Sequence, residues 1–384
     1  MPTHVALLPL GWETPFTHAS PGFSFSDVPD GEYTLLVSCG GLGGGYPEVP
    51  VVVSGADVTV DLVLPFPTLP RRFPAFTLVG HTGRARSVAF STDGDVLVSA
   101  SEDGTLVRWD ARAGERVQTS SHGHTDPDTP LVLSPQGAAL ASGSQAGTVD
   151  VWDAERGELV NTLYGLEGRV QGLVFSADGT TLAGWAEGDS DRVVLWNVAT
   201  GAHLRSLDVT GTQEGIAGER TLVAFAESGE ILVSAVRVDR DWVIGQWDVA
   251  TGEQIESRPL PRMGWGWVAA IRSVTISPDE RILAFGASGV ENFGSLVTWD
   301  VLSDRSAVGN YAKGINRVAF SPDGKLVAST AYDNTVVLWD VVTGEACSVL
   351  VGDARGVDQV AWSPDGHKLA AGDGDGRVLL WEVQ

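Results

Sequence analysis

The 384-residue sequence predicts an all-β chain in which seven four-stranded units close into a ring behind a small antiparallel β-sandwich. Three observations carry this expectation. First, a short apolar strand ending in Trp, usually Trp-Asp, recurs at Trp109, Trp152, Trp196, Trp247, Trp299, Trp339 and Trp381, with spacings of 43, 44, 51, 52, 40 and 42 residues. Four short strands and their turns need roughly 40 to 45 residues. Second, each unit has an upstream apolar strand that runs into a tight polar turn: STDG (91–94), SPQG (134–137), SADG (176–179), ESGE (227–230), SPDE (277–280), SPDG (321–324) and SPDG (363–366). Pro, Asp and Gly in such tetrapeptides set the dihedrals of a hairpin. Third, the first 70 residues break the pattern: they hold no Trp-Asp pair, and their alternating runs FSFSDV, EYTLLVS, VPVVV and DVTVDLVL read as short strands.

Taken in chain order, residues 1–64 come first. GFSFSDVPDGEYTLLVS (22–38), with VTVDLVLP further on, resembles the carboxypeptidase-regulatory-like, transthyretin-like β-sandwich. The opening strand of that family is missing from the match, so the expectation is that this domain is either truncated or completed by another chain. PFPTLPRRFP, with four prolines, makes 65–75 a semi-rigid linker. The ring occupies 76–384. GHTGRARSVAFSTDGDVLVSASEDGTLVRWD (80–110) resembles the WD-repeat family, as do the last two units from VAFSPDG and VAWSPDG to their tryptophans. That resemblance implies a seven-bladed β-propeller. The physics agrees, because one four-stranded unit cannot bury both of its apolar faces and must pack against neighbours around an axis. Only EVQ follows Trp381, so the seventh unit lacks an outer strand of its own. FTLVGH (76–81) reads as that strand, latching the ring and removing an exposed edge.

Composition limits the function classes. The net charge is -24, and only Lys313, Lys325 and Lys368 are lysines. Such a surface repels a phosphate backbone, so no nucleic acid or anionic membrane is expected as a partner. A GC-rich genome or a salt-adapted organism would each produce an acidic, lysine-poor chain. Residues 1–70 hold seven acids and no base. Cys39 and Cys347 follow no metal-ligand spacing and make no disulfide framework, so free buried thiols are expected. The N-terminus lacks a basic, apolar leader and no apolar run of about 18 residues occurs, so a soluble, cytoplasmic protein is expected.

His81, Ser99, Asp103 and Trp109 bring Ser, His and Asp into one unit. No GxSxG elbow accompanies them. The WD-repeat resemblance implies instead that these four form a buried hydrogen-bonded tetrad that holds the blade. Other units keep parts of the set: His124 and Ser142 with Ala146 at the acid position, Asp241, Ser329 with Asp333, and Asp375. His122 and His124 beside Asp126 and Asp128 could ligate a metal, but His124 already serves as the second unit's Gly-His. EGDSDR (187–192) and GDGDGR (372–377) lack full calcium-loop spacing, and CGGLGGGY (39–46) lacks a phosphate-loop pattern. No metal or cofactor is expected.

The unabsorbed residues are aromatic. Trp185 and Trp242 flank the turn between second and third strands of units three and four, Trp265 and Trp267 lie in PRMGWGW before unit five, and Phe293 and Tyr332 occupy the matching turns of units five and six. Those loops emerge on one face of a propeller and also carry acids, among them Asp189 and Asp241. Aromatics with carboxylates suit a basic, Arg- or Lys-bearing peptide through cation-π attraction and steering. The expected function is therefore a non-enzymatic scaffold binding a partner protein or peptide through this loop face. Two alternatives stand beside it: a propeller hydrolase or lyase with an axial site, and an extracytoplasmic surface- or carbohydrate-binding module.

Overall fold

The computed structural model describes residues 69–383 apart from 124–125, 127–128, 188, 210–220, 239–240, 261–267, 290–293, 312, 353–354 and 358, together with the backbone of four earlier strands. Those four, His4–Pro9, Thr17–His18, Gly31–Ser38 and Glu48–Val53, form one antiparallel sheet with His4–Pro9 between Thr17–His18 and Gly31–Ser38. EYTLLVS and VPVVV fall in its strands. FSFSDV, DVTVDLVL and the second layer of a sandwich lie outside the described residues.

Seven further sheets follow as the repeat demands. The first six blades are built from consecutive antiparallel strands: Ala85–Ser121, Leu131–Leu163, Val170–Asp208, Leu222–Pro259, Val268–Tyr311 and Ile315–Leu350. The seventh has only Val360–Trp362, Lys368–Gly372 and Arg377–Glu382 from the C-terminal end, and Phe76–Val79 supplies its outer strand in antiparallel register, Leu380 opposite Phe76 and Arg377 opposite Val79. The latch expected from FTLVGH is present. Each core cluster spans neighbouring blades: Leu78, Val378 and Leu380 pack with Phe90 and Trp109 across the seam between blades 7 and 1. Trp109, Trp196, Trp299, Trp339 and Trp381 are all fully enclosed.

The turn between first and second strands is held by its serine. Ser321 Oγ accepts the N–H of Leu326 at 3.0 Å and donates to Asp323 at 2.7 Å, and Ser91, Ser176, Ser277 and Ser363 repeat the arrangement. In blade 4 the turn starts one residue earlier than the ESGE string suggests, at Ala226, whose carbonyl accepts the N–H of Gly229. A second bond recurs in all seven blades: the residue closing this turn accepts, through its carbonyl, the N–H of the residue opening the turn after the Trp strand, as in Val301 to Arg281 and Val341 to Lys325. The two turns of every blade therefore lie side by side on one face of the ring, the turn face. Loops between second and third strands, and between blades, lie on the opposite loop face.

Three findings depart from the sequence reading. The linker is not free along its length, because Arg71–Arg72 adds a fifth, parallel strand to the outer edge of blade 6, opposite Val349 and Leu350. Pro70 O accepts Val349 N and Ser348 Oγ at 3.0 Å each, and Arg72 O accepts Val351 N at 2.9 Å. Cys347 is exposed, not buried: a register shift opposite Trp339 makes it the unpaired residue of an outer-strand bulge. Cys39 lies outside the described residues. The third finding concerns strand length. In blades 3 to 5 the hairpin between second and third strands contains long strands, eight residues for Ile231–Val238, Asp241–Asp248 and Ile282–Gly289 and nine for Asp189–Asn197, against five or six in blades 1, 2, 6 and 7; Thr181–Ala186 keeps six and Gly294–Asp300 has seven.

Candidate interaction face and the blade tetrad

Blade 1 shows how its polar set works. Thr105 Oγ1 donates to Asp103 at 2.5 Å, so the 2.7 Å contact between Thr105 Oγ1 and His81 Nδ1 has the imidazole as donor. His81 Nε2 then accepts from Ser99 Oγ at 2.6 Å, and Ser99 Oγ accepts the Trp109 indole N–H at 2.8 Å. Asp103 also takes the backbone N–H groups of Thr82 and Thr105. The proton order requires a neutral imidazole. Burial, opposed by Asp103, holds the His81 pKa down at about 4. The link between His81 and Asp103 runs through Thr105, since Nδ1 and the carboxylate are 3.8 Å apart. A nucleophile needs access to substrate, and Ser99 has none: it is fully buried with its oxygen already engaged by the indole.

The other blades vary this theme by named substitutions. Trp152, Trp247 and Trp339 each donate to a serine, Ser142, Ser234 and Ser329. Register places Gly184, Phe285 and Ala371 at the matching sites of blades 3, 5 and 7. There the indole finds another acceptor: Tyr164 O, Asp304 Oδ1 and Val351 O. In blade 6 Tyr311 replaces the histidine, with its hydroxyl 3.0 Å from Thr335 Oγ1, which donates to Asp333. In blade 7 the sequence alignment marks Asp375, but the enclosed carboxylate is Asp373, which accepts the N–H groups of Asp375 and Arg377. In blade 2 His122 packs edge-on against Trp152 at 6.3 Å. His124 lies outside the described residues.

No group of three or more potential metal ligands occurs among the described residues. In GDGDGR the side chain of Arg377 reaches both Asp373 at 3.1 Å and Asp375 at 2.6 Å, so a guanidinium already occupies the place a cation would take.

The loop-face set divides. Trp185 and Trp242 are 9% and 7% exposed, each in an interblade core cluster, Trp185 with Leu207 and Trp247, Trp242 with Ile271 and Phe285. They are not surface anchors, and the reason is local. Gly172 leaves the space that the Trp185 ring fills, since a Cβ there would lie 1.9 Å from the ring. Tyr332 is 46% exposed and lies over Gly314 at the loop-face end of blade 6. The backbone puts Asp189 and Asp241 at the first positions of the long third strands of blades 3 and 4. Glu187 closes the same hairpin as Asp189, 3.5 Å from Arg169. Trp265, Trp267 and Phe293 lie outside the described residues.

Comparison with known proteins agrees with this architecture. The profile of the WD domain, G-beta repeat, matches residues 72–110, 305–340 and 344–382. The serine-threonine kinase receptor-associated protein of Rattus norvegicus is 27% identical over 272 residues, 70% of this chain and 70% of that protein. Protein Mut11 of Chlamydomonas reinhardtii is 41% identical over 66 residues, 17% of this chain and 18% of its own. Protein tipD of Dictyostelium discoideum is 25% identical over 165 residues, 40% of this chain and 26% of its own.

Proposed function

Because this chain is a seven-bladed propeller built from WD40 repeats, we propose that it is a protein-interaction scaffold whose loop face over blades 3 to 6 receives a basic segment of a partner protein. One observation carries the reading: each hairpin between second and third strands in blades 3 to 5 has at least one strand of eight or nine residues, where the other blades have five or six. The added length brings Asp189 and Asp241 to the tips of their hairpins, with Glu187 beside them and the exposed ring of Tyr332 on the neighbouring blade. Carboxylates steer and orient a guanidinium or ammonium, and an aromatic ring supplies desolvated contact. Trp265 and Trp267, in the segment that leads into blade 5, extend the set by sequence position. A ring closed at every blade keeps such hairpins preorganised and lowers the ordering cost of binding.

An arrayed library of charged peptides tests this. Arg- and Lys-bearing peptides should bind and acidic ones should not. The Tyr332→Ala variant and the Trp265→Ala/Trp267→Ala double variant should each weaken binding about tenfold, roughly 1.4 kcal/mol, without lowering the melting temperature. Equal binding of acidic peptides, or undiminished binding by both variants, rejects this face.

A further inference from the structure

We propose that the turn face of blades 5 and 6 is the docking site for the chain's own N-terminal residues 1–64. Three observations converge there, and none depends on which partner the loop face takes.

The first is apolar exposure. The two most exposed large apolar side chains of the described propeller, Val342 at 83% and Leu302 at 78%, occupy the same position of adjacent blades, the tip of the turn after the Trp strand. At that position blades 1 to 4 have Arg112, Glu155, Ala199 and Ala250. An exposed apolar pair confined to two neighbouring blades marks a contact surface.

The second is charge. The carbonyl bonds that pair the two turns of each blade place Arg281 beside the Leu302 turn and Lys325 beside the Val342 turn. The matching residues of blades 1 to 4 are Asp95, Ala138, Thr180 and Glu230. Arg281 lies 3.1 Å from Asp300 and Lys325 3.2 Å from Asp323, so a base stands beside each of the two apolar tips. Those two bases give an acidic segment a counter-charge at each apolar tip, and residues 1–64 carry seven acids and no base.

The third is the tether. Arg71–Arg72 runs parallel to the outer strand of blade 6, and that strand starts at the turn carrying Val342. The chain preceding Pro70 is thus directed toward the turn face of blade 6. Residues 65–69 span at most about 18 Å, which holds the N-terminal residues close to this sector at high effective concentration.

Zero-length carbodiimide coupling of the full chain reads the contact directly, because the sequence has only three lysines. In a mixture of 14N and 15N protein, Lys325 should couple to carboxylates of residues 1–64 within one molecule. Lys313, on the loop face, should not couple to them. Leu302→Ser/Val342→Ser should cut the Lys325 yield at least fivefold while the melting temperature holds. If that variant is unstable, Arg281→Glu should lower the yield in its place. The proposal is overturned by an unchanged yield in the folded variant, by equal coupling of Lys313, or by coupling chiefly between labelled and unlabelled molecules, which would assign the surface to a second copy.

Discussion

Among the described residues, three other than glycine adopt positive φ: Glu280 at 61°, Asp304 at 55° and Asn334 at 66°. Each stands where a glycine would be free of strain, and each makes a bond that glycine could not. Glu280 accepts Ser228 N of blade 4, Asn334 accepts Gly356 N of blade 7, and Asp304 accepts the Trp299 indole. The outcomes of replacing them differ because the bonds differ. Glu280→Gly removes about 1 kcal/mol of backbone strain and loses only an exposed contact, so it should raise stability by roughly 0.5–1 kcal/mol. Asp304→Gly removes the same strain but strips the acceptor from an enclosed indole, a cost of about 1–3 kcal/mol, so it should lower stability by roughly 1 kcal/mol. Urea unfolding midpoints of the two variants check the opposite signs. His81 gives a pH prediction. Its folded pKa, about 4, lies below the ordinary 6.5, so the unfolded chain takes up a proton first as pH falls. The stability it contributes is complete above pH 6.5, declines between 6.5 and about 4, and amounts to something on the order of 3 kcal/mol. Unfolding midpoints measured from pH 7 to 4 should fall less steeply in His81→Asn than in the parent. The tetrad was readable because His81, Ser99, Asp103 and Trp109 stand where the WD-repeat resemblance implies a buried hydrogen-bonded set. The Asp304 acceptor was not, since it depends on a left-handed backbone angle that no pattern of residue types encodes.

At the level of the strand, alternation and turn chemistry located the blades, because each hairpin is specified by residues next to one another in sequence. The Arg71–Arg72 strand escaped the same reading. Its prolines dominate the local signal, and its partner lies some 278 residues away, where a parallel pairing leaves no local trace. Its contribution is measurable. Chains starting at residue 69 and at residue 76 both keep the Phe76–Val79 latch, and only the longer one keeps the bonds from Pro70 and Arg72 to blade 6. Each such bond is worth about 1 kcal/mol, so the shorter chain should be less stable by roughly 2–3 kcal/mol in urea unfolding. Equal stability would mean that the fifth strand is carried by the ring without supporting it. The aromatic reading of the loop face failed in part for a related reason: a tryptophan at a strand end looks the same in sequence whether it faces solvent or fills the gap left by Gly172.

For the whole molecule, the net charge of -24 separates into surfaces with different roles. Turn aspartates such as Asp110, Asp248 and Asp300 accept backbone N–H groups that hold their pKa values below the ordinary carboxylate range, so these charges serve the blades whatever the ring binds. In the proposed function, the acids on the hairpins of blades 3 and 4 are the ones that meet a partner. Raising salt from about 50 to 500 mM should therefore weaken capture of a basic peptide several-fold and leave the melting temperature nearly constant, because exposed charges are screened and the interblade cores are not. The seven-fold architecture was legible from spacing alone. The unequal height of the blades was not, because the longer units could have placed their extra residues in loops.

The closure of blade 7 sets a timetable. Phe76–Val79 is among the earliest propeller segments to be synthesised, yet its partner strand Arg377–Glu382 is the last. At about 5–20 residues per second, some 300 residues of synthesis separate them, a wait of roughly 15–60 s during which an apolar strand has no sheet to join. Blades 1 to 6 can each form as they emerge, but the ring remains an open arc until Arg377–Glu382 has been made.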